Sequence, residues 1–289
     1  MKKANFSART LRRLLVLAFL CLLGLLAVGP VIFLFSGVLM SQRELGENLG
    51  PVLSEAKGFA SWTLLPRSPT LRSVVELLLD SPEFFHMFWN SVEITGGILL
   101  GQLLAGAPAA WGFARYRFPL RRTLFLLYLI LMLMPFQVTM LSGFLALDRL
   151  GLMDTRWAVI FPSAFSTFPV FLMYRFFRAI PQAVLESALL DAGNSFQIFW
   201  HIGLPLGSAG LISALVLGFL ECWNLIEQPL AYLKDRTLWP LSLYLPNIGL
   251  ERAGPAFAGA AVTLIPALLV FLCGREYLEQ GIMAAAVKE

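Results

Sequence analysis

Six long apolar stretches, at 14–35, 91–113, 124–147, 157–177, 208–231 and 257–273, alternate with polar segments along the chain. Each is close to the roughly 20 residues that a helix needs to cross the hydrocarbon core of a bilayer. Between the fourth and fifth stretches the pattern changes. Residues 178–206, RAIPQAVLESALLDAGNSFQIFWHIGLPL, are charge-bearing and predict two short helices joined by an elbow. Pro181 suits a first helical turn, where its missing N–H costs nothing. Val184, Leu185, Ala188 and Leu189 give a short apolar stripe at helical spacing. Gly193 is a natural helix stop, because a residue without Cβ turns left-handed cheaply. Asn194 can cap the second helix, with Gln197 reaching back in a capping-box-like pair. Phe196, Phe199, Trp200 and Ile202 form the predicted apolar side of that helix, and Pro205 closes it. An elbow this short cannot span a bilayer. It is expected to lie on the membrane surface, with its acidic residues offered to a partner.

The loop 37–90 is the one region of ordinary soluble character. It holds Glu44, Glu47, Glu55, Glu76, Asp80 and Glu83 against Arg43, Lys57, Arg67 and Arg72. Within it, 71–79 reads as a short amphipathic helix.

Composition agrees with the pattern. Apolar residues make up 58% and charged residues 14% of 289 positions, and the mean hydropathy is +0.74. A soluble domain is about half apolar and a quarter charged, so the chain is an integral membrane protein. Basic residues set its orientation. Lys2, Lys3, Arg9, Arg12 and Arg13 precede the first span, and Arg115, Arg117, Arg121 and Arg122 follow the second. Both segments are expected in the cytoplasm by the positive-inside rule. An even number of spans then puts the elbow and the C-terminal tail on the same side. The first span is too long for a signal core and lacks an A-x-A-like site, so it reads as an uncleaved anchor. The pI near 9.1 reflects loop charge and does not imply nucleic-acid binding.

Chemistry of its own is hard to find in this chain. Cys21, Cys222 and Cys273 lie in spans with no paired spacing, which suggests neither disulfides nor a metal site. His86 and His201 fall on opposite sides of the bilayer, so they cannot share a zinc site or an acid–base pair. No lysine follows a glycine, so there is no P-loop to hold nucleotide phosphates. Glu221 sits inside a predicted span, where a charge costs at least ~2.5 kcal/mol and usually faces a bundle interior or watery cavity. Trp223 and Asn224 fall within a turn of it, and an amide, a carboxylate and an indole suit a sugar. The same group could equally be an interhelical polar clamp. Glu93 and Gln137 are weaker candidates for the path. Prolines 135, 162, 169 and 266 imply kinked helices, and Gly97 with Gly101 forms a GxxxG pair for close packing.

Several motifs bear a family likeness. Glu186-Ser187-Ala188, Asp191-Ala192-Gly193 and Ile202-Gly203-Leu204-Pro205 resemble the "EAA" loop of binding-protein-dependent ABC importer permeases. Leu65 to Leu71 looks like the "P…PTL" turn of sugar-importer permeases. From Asn90 onward the likeness is nearly continuous. Ala109 to Arg115 is similar to "AAYALAR", Met134 to Val138 to "MIPxQV", and Leu150 to Thr155 to "LGLLDT". Phe219 to Asn224 with Pro229-Leu230 is similar to "FLxxWNxxxxPL", and Tyr277 to Gly281 with Ala286 to Lys288 to "YFxxGLxxGAVKG". Together these resemble the carbohydrate, maltose-permease-like branch. Ser187 stands where the family has its second alanine. Ala192 replaces its glycine, with Gly193 displaced by one, so the elbow is expected to bend one residue late.

The resemblance implies an all-α integral membrane protein with six transmembrane helices, the type I ABC importer permease fold, and cytoplasmic coupling (EAA) helices. It implies a tail and first span over 1–36, an extracytoplasmic loop over 37–85, a permease core over 86–275 containing the coupling loop 178–206, and a cytoplasmic tail over 276–289. The implied function is that of a permease subunit of an ATP-driven sugar importer in a prokaryotic cell membrane, not an enzyme. Glu186, Ser187, Ala188, Asp191, Ala192, Gly193, Leu204 and Pro205 would dock on an ATPase. Glu221, Trp223, Asn224, Gln137 and Glu93 are the candidate translocation path. The implied partners are a second homologous permease, two ATPase subunits carrying ATP and Mg, an extracytoplasmic solute-binding protein, the lipid bilayer and a small sugar. A related solute such as a glycerol phosphate or polyol is one alternative. A secondary transporter is another, although the internal repeats it should show are not found.

Overall fold

The computed structural model describes residues 8–53, 59–61, 63, 65–192, 194–244 and 252–286. Among them every regular element is a helix. Besides two single 3-10 turns, Arg236–Leu238 and Leu241–Leu243, these are in chain order α1 Ala8–Leu39, α2 Gln42–Leu53, α3 Arg72–Asp80, α4 Pro82–Arg115, α5 Arg121–Leu133, α6 Phe136–Arg149, α7 Arg156–Ala164 and α8 Thr167–Ala179. They continue as α9 Gln182–Ala192, α10 Ser195–Leu206, α11 Ser208–Trp223, α12 Glu227–Tyr232 and α13 Ala253–Ala286. Lys2, Lys3, Glu55, Lys57, Gly193, Val287 and Lys288, all used in the sequence reading, lie outside the described residues.

Among the described residues, four segments are long and apolar enough to cross a membrane: Arg12–Leu39, Pro82–Arg115, Arg156–Ala179 and Ala253–Glu279. Two bent pairs raise the number to six if each is one span. The first, α5 with α6, bends by 107° at Met134-Pro135. Proline pushes its predecessor out of helical geometry and brings no N–H, and Met134 is accordingly extended (φ −75°, ψ 122°). The third stretch is therefore broken where the sequence places a kink. The second pair, α10 with α11, bends by 69° at Gly207.

The fifth stretch departs from the expected continuous span over 208–231. Helix α11 ends at Trp223, and α12 is a separate short helix. Asn224 Nδ2 donates to the Leu220 carbonyl at 3.0 Å, which closes the end of α11. Pro229 has no N–H for a helical bond back to Leu225, which removes one of the bonds a continuous helix would need here. The second span also starts earlier than read, at Pro82.

The chain divides into two compact units, Met1–Pro82 with Asn247–Val262, and Glu83–Pro246 with Thr263–Glu289. In the first, Met40 and Leu45 are fully buried among Leu49, Ala253 and Phe257. Phe33 meets Phe257 edge to face at 5.6 Å. Asn48 organises the nearby loop, donating to Thr63 Oγ1 (2.7 Å) and accepting from Ser61 Oγ (2.6 Å). Helix α3 forms as read and buries Ser73 and Leu77.

The second unit holds the sites. Its main core packs α4 against α8, α10 and α11 through Ala107, Ala110, Trp111, Leu172, Met173, Phe177 and Phe199. Small residues on α4 bring the backbones close, as is usual where lipid supplies no hydrophobic drive between helices. Gly97 and Gly101 pack onto Ile160 and Ala164 of α7, and a Cβ at either would collide. The segment after α12 is pinned by Asp154, whose left-handed backbone (φ 59°) aims Oδ1 at the amides of Lys234 and Asp235, both at 2.8 Å.

Candidate functional site: an exposed elbow and a polar cavity

Helices α9 and α10 make the elbow. On α9, Leu185 and Ala188 are buried against the core, while Glu186, Ser187, Leu189 and Leu190 face outward. The predicted stripe is thus split, with Val184 and Leu189 exposed. Ser187 Oγ donates to the Val184 carbonyl at 3.0 Å within its own helix. Asp191 and Ala192 form the last residues of α9, so the helix runs to the position before Gly193. At the head of α10, Asn194 Oδ1 accepts from the Phe196 amide at 3.0 Å. Asn194 thus caps α10 as read, through the Phe196 amide.

A π-turn at Phe199–Gly203 then rotates the side chains. Ile198 and Phe199 turn inward, while Phe196 and Trp200 stay exposed and stack on each other at 6.3 Å. The apolar side read as Phe196, Phe199, Trp200 and Ile202 is consequently divided between core and surface. Leu204 packs partly into the core, and Pro205 is exposed. Such turns insert one residue into the helical register and recur at functional sites.

The roots of the elbow converge on two residues of α4. The Arg115 guanidinium donates to the carbonyls of Phe177 and, at 2.7 Å, of Ile180, just before α9. It also lies 5.7 Å over the Trp111 ring. Trp111 meets Phe177 edge to face at 5.4 Å and Phe199 at 5.6 Å. Gly203 is pressed against the indole so closely that a Cβ there would lie 2.7 Å from the ring. The entrance and the exit of the elbow are thereby tied to one buried hub. In the sequence, Arg115 counts only toward orientation and the motif, and Trp111 only toward the motif; nothing there marks either as the root of the elbow.

Elsewhere in this unit a polar cavity of about 450 Å3 opens among α4, α5, α6, α7, α8, α11 and α12. Its polar lining is Gln102, Thr139, Ser142, Ser163, Ser166, Thr167, Glu221 and Gln228. A second π-turn, Gln102–Gly106, places Gln102 there. Its Nε2 donates to the Ser163 carbonyl at 3.1 Å, and Ser163 Oγ donates to Gln228 Oε1 at 2.7 Å. Gln102 Oε1 is buried and has no hydrogen-bond partner among the described residues. Glu221 is the only charged side chain of the lining among those residues. Hydroxyls, amides and one carboxylate can exchange hydrogen bonds with a polyhydroxyl solute.

The other path candidates lie apart from this cavity. Trp223 is buried, donates from Nε1 to the Thr263 carbonyl at 3.1 Å, and stacks on Phe219 at 5.3 Å. Its indole is packed and bonded, which leaves no open face for a sugar ring. Asn224 is committed to its own helix end. Gln137 lines a separate, mostly apolar cavity of about 610 Å3 and donates to Glu227 Oε1 at 2.6 Å. Glu93 pairs with Arg156 at 2.7 Å. Arg156 also donates to Asn90 Oδ1 at 2.9 Å, and Asn90 Nδ2 donates to the Thr237 and Trp239 carbonyls. Glu93 therefore belongs to a latch that holds the loop after α12. Among the described residues no group of His, Cys, Asp or Glu could hold a metal ion. The hydroxyl cluster was missed because Ser and Thr are individually unremarkable in membrane helices. The available signal was their density over 163–167 opposite Gln102, an amide in mid-span.

Residues 97–283 match the family described as the binding-protein-dependent transport system inner membrane component. The arabinooligosaccharides transport system permease protein AraQ of Halalkalibacterium halodurans is 28% identical over 227 residues, which is 77% of this chain and 81% of that protein. In fold, the chain is similar to the crystal structure of a bacterial ABC transporter involved in the import of the acidic polysaccharide alginate. The TM-score is 0.79 at 21% identity, over 96% of this chain and 99% of that one. A bacterial alginate ABC transporter crystallised in complex with an alginate pentasaccharide-bound periplasmic protein aligns with TM-score 0.57 and 18% identity, over 93% and 96%.

Proposed function

The chain belongs to the family of binding-protein-dependent transport system inner membrane components, multi-pass membrane proteins, and from that premise we propose that it is one permease subunit of an ATP-driven oligosaccharide importer. Its elbow docks on an ATPase subunit that carries ATP and Mg, and a second homologous permease completes the path. An extracytoplasmic binding protein delivers solute; the alginate transporter was crystallised with a periplasmic protein that holds an alginate pentasaccharide. The observation that carries the coupling role is the hub: an outward-facing helix pair is rooted at both ends on Trp111 and Arg115. A displacement imposed on α9 and α10 must move α4 and α8 with them, because packed interiors shift between discrete arrangements and do not deform smoothly. ATP binding at one end and loaded binding protein at the other then bias a two-state equilibrium.

The polar cavity supports a neutral solute for this subunit's share of the path. An anion such as a glycerol phosphate would face Glu221 with no cationic side chain in the described lining. Reconstitution into liposomes with the neighbouring subunits tests the proposal. ATP-dependent uptake of a neutral oligosaccharide is expected, with none by this chain alone. Uptake by the purified chain without an ATPase would overturn it.

A further inference from the structure

Five arginines face one cavity of about 1150 Å3 at the end of the spans that carries the elbow. Arg117 comes from the link between α4 and α5, Arg121 and Arg122 from the first turn of α5, and Arg175 and Arg178 from the end of α8. No acidic side chain lines it among the described residues. The remaining walls are largely apolar, including Phe125, Leu126, Leu129 and Phe171. Arg121 Nη1 donates to the Tyr116 carbonyl at 3.3 Å and Arg178 Nη1 to the Tyr174 hydroxyl at 2.9 Å. Among the described residues, Arg117, Arg121 and Arg122 enter no ion pair.

The positive-inside rule accounts for arginines near span ends. It does not require five of them to converge on one recess. Nor does it favour two cations in the first turn of α5, the end of a helix where positive charge is unfavourable.

We propose that this recess binds the headgroup of an anionic phospholipid. Guanidinium forks match phosphate oxygens with paired hydrogen bonds, which a single ammonium cannot reproduce. The apolar walls sit beside the cations at the ends of membrane helices, so a molecule with a phosphate and acyl chains fits both surfaces at once. A free phosphate would use only the cations. Basic recesses between membrane helices are a general means of holding anionic headgroups. The proposal does not depend on which solute is carried.

The assembled importer, purified in mild detergent, is the sample for the test. Native mass spectrometry should find phosphatidylglycerol or cardiolipin retained in preference to phosphatidylethanolamine. The double substitution Arg117→Gln with Arg122→Gln should lower that retention about tenfold or more, with the ATPase subunits still bound. Arg122→Lys should keep part of it, and excess inorganic phosphate should not displace the lipid. In nanodiscs, the wild-type complex should turn over ATP faster when phosphatidylglycerol replaces part of the phosphatidylcholine. Equal retention of zwitterionic lipid, retention unchanged in the double variant, or displacement by phosphate alone would overturn the proposal. So would loss of the ATPase subunits from the double variant, which would make the recess a protein contact.

Discussion

Gly203 sits directly against the indole of Trp111, with room for hydrogen but not for a methyl group. Gly203 is on the elbow side of the core and Trp111 on the second apolar stretch, so this contact links the proposed lever to a membrane helix. Gly203→Val should force the two apart. Expression and membrane insertion are expected to persist, while uptake in proteoliposomes falls about tenfold. Normal uptake in this variant would mean that the contact transmits nothing.

Trp111→Ala should be more damaging, because it removes a buried ring that meets Phe177, Phe199 and Arg115. Truncating a buried tryptophan costs about 3–5 kcal/mol. Trp111→Phe keeps much of that packing, and its lost N–H has no partner among the described residues. Thermal unfolding in detergent should therefore show a large drop for the alanine variant and a small one for phenylalanine.

Glu186 is outward-facing and makes no ion pair among the described residues. Its reversal, Glu186→Lys, should leave the fold intact and weaken ATPase association, with a cost of about 2–5 kcal/mol if the charge is desolvated in the docked state. Co-purification of the ATPase reads this. Unchanged recovery would assign the carboxylate to solvent.

In the polar cavity, Gln102→Leu removes an amide that already has one unmet acceptor, and Glu221→Gln removes the only charge of the described lining. Uptake should change severalfold in both while ATPase binding is retained. Asn224→Ala and Trp223→Phe should alter stability more than solute affinity, because both side chains are already engaged by backbone carbonyls. Solute titrations of the uptake rate separate the two outcomes.

Arg156→Ala should free Glu93 and Asn90 together. The ion pair itself is half exposed and is worth about 0–1 kcal/mol. Loss of the Asn90 contact should loosen the loop after α12, which Asn90 holds through Thr237 and Trp239. Faster amide exchange over 233–244 is the expected result.

Much of this architecture was legible in the apolar pattern and in single punctuating residues. Pro135 marks the sharpest break, Asn194 caps α10, and Gly97 and Gly101 pack as read. What escaped was set by register and by partners distant in sequence. The π-turns at Gln102 and Phe199 add one residue to a helical turn, and no periodicity rule anticipates which side chains they rotate inward. Glu221, Trp223 and Asn224 are neighbours in the chain but meet different surroundings, since Thr263 claims the indole and Leu220 the amide. The Arg115 bonds to Phe177 and Ile180 join residues more than 60 apart. Nothing local announces them.

Cross-linking from the elbow asks whether a nucleotide-hydrolysing neighbour sits there. In a cysteine-free background, Ser187→Cys on the exposed face of α9 should form a cross-link to the ATPase subunit in native membranes, and its yield should change when ATP is added. Glu83→Cys, in the first turn of α4, should form none. No adduct from position 187, or an equal yield from both positions, would contradict the lever.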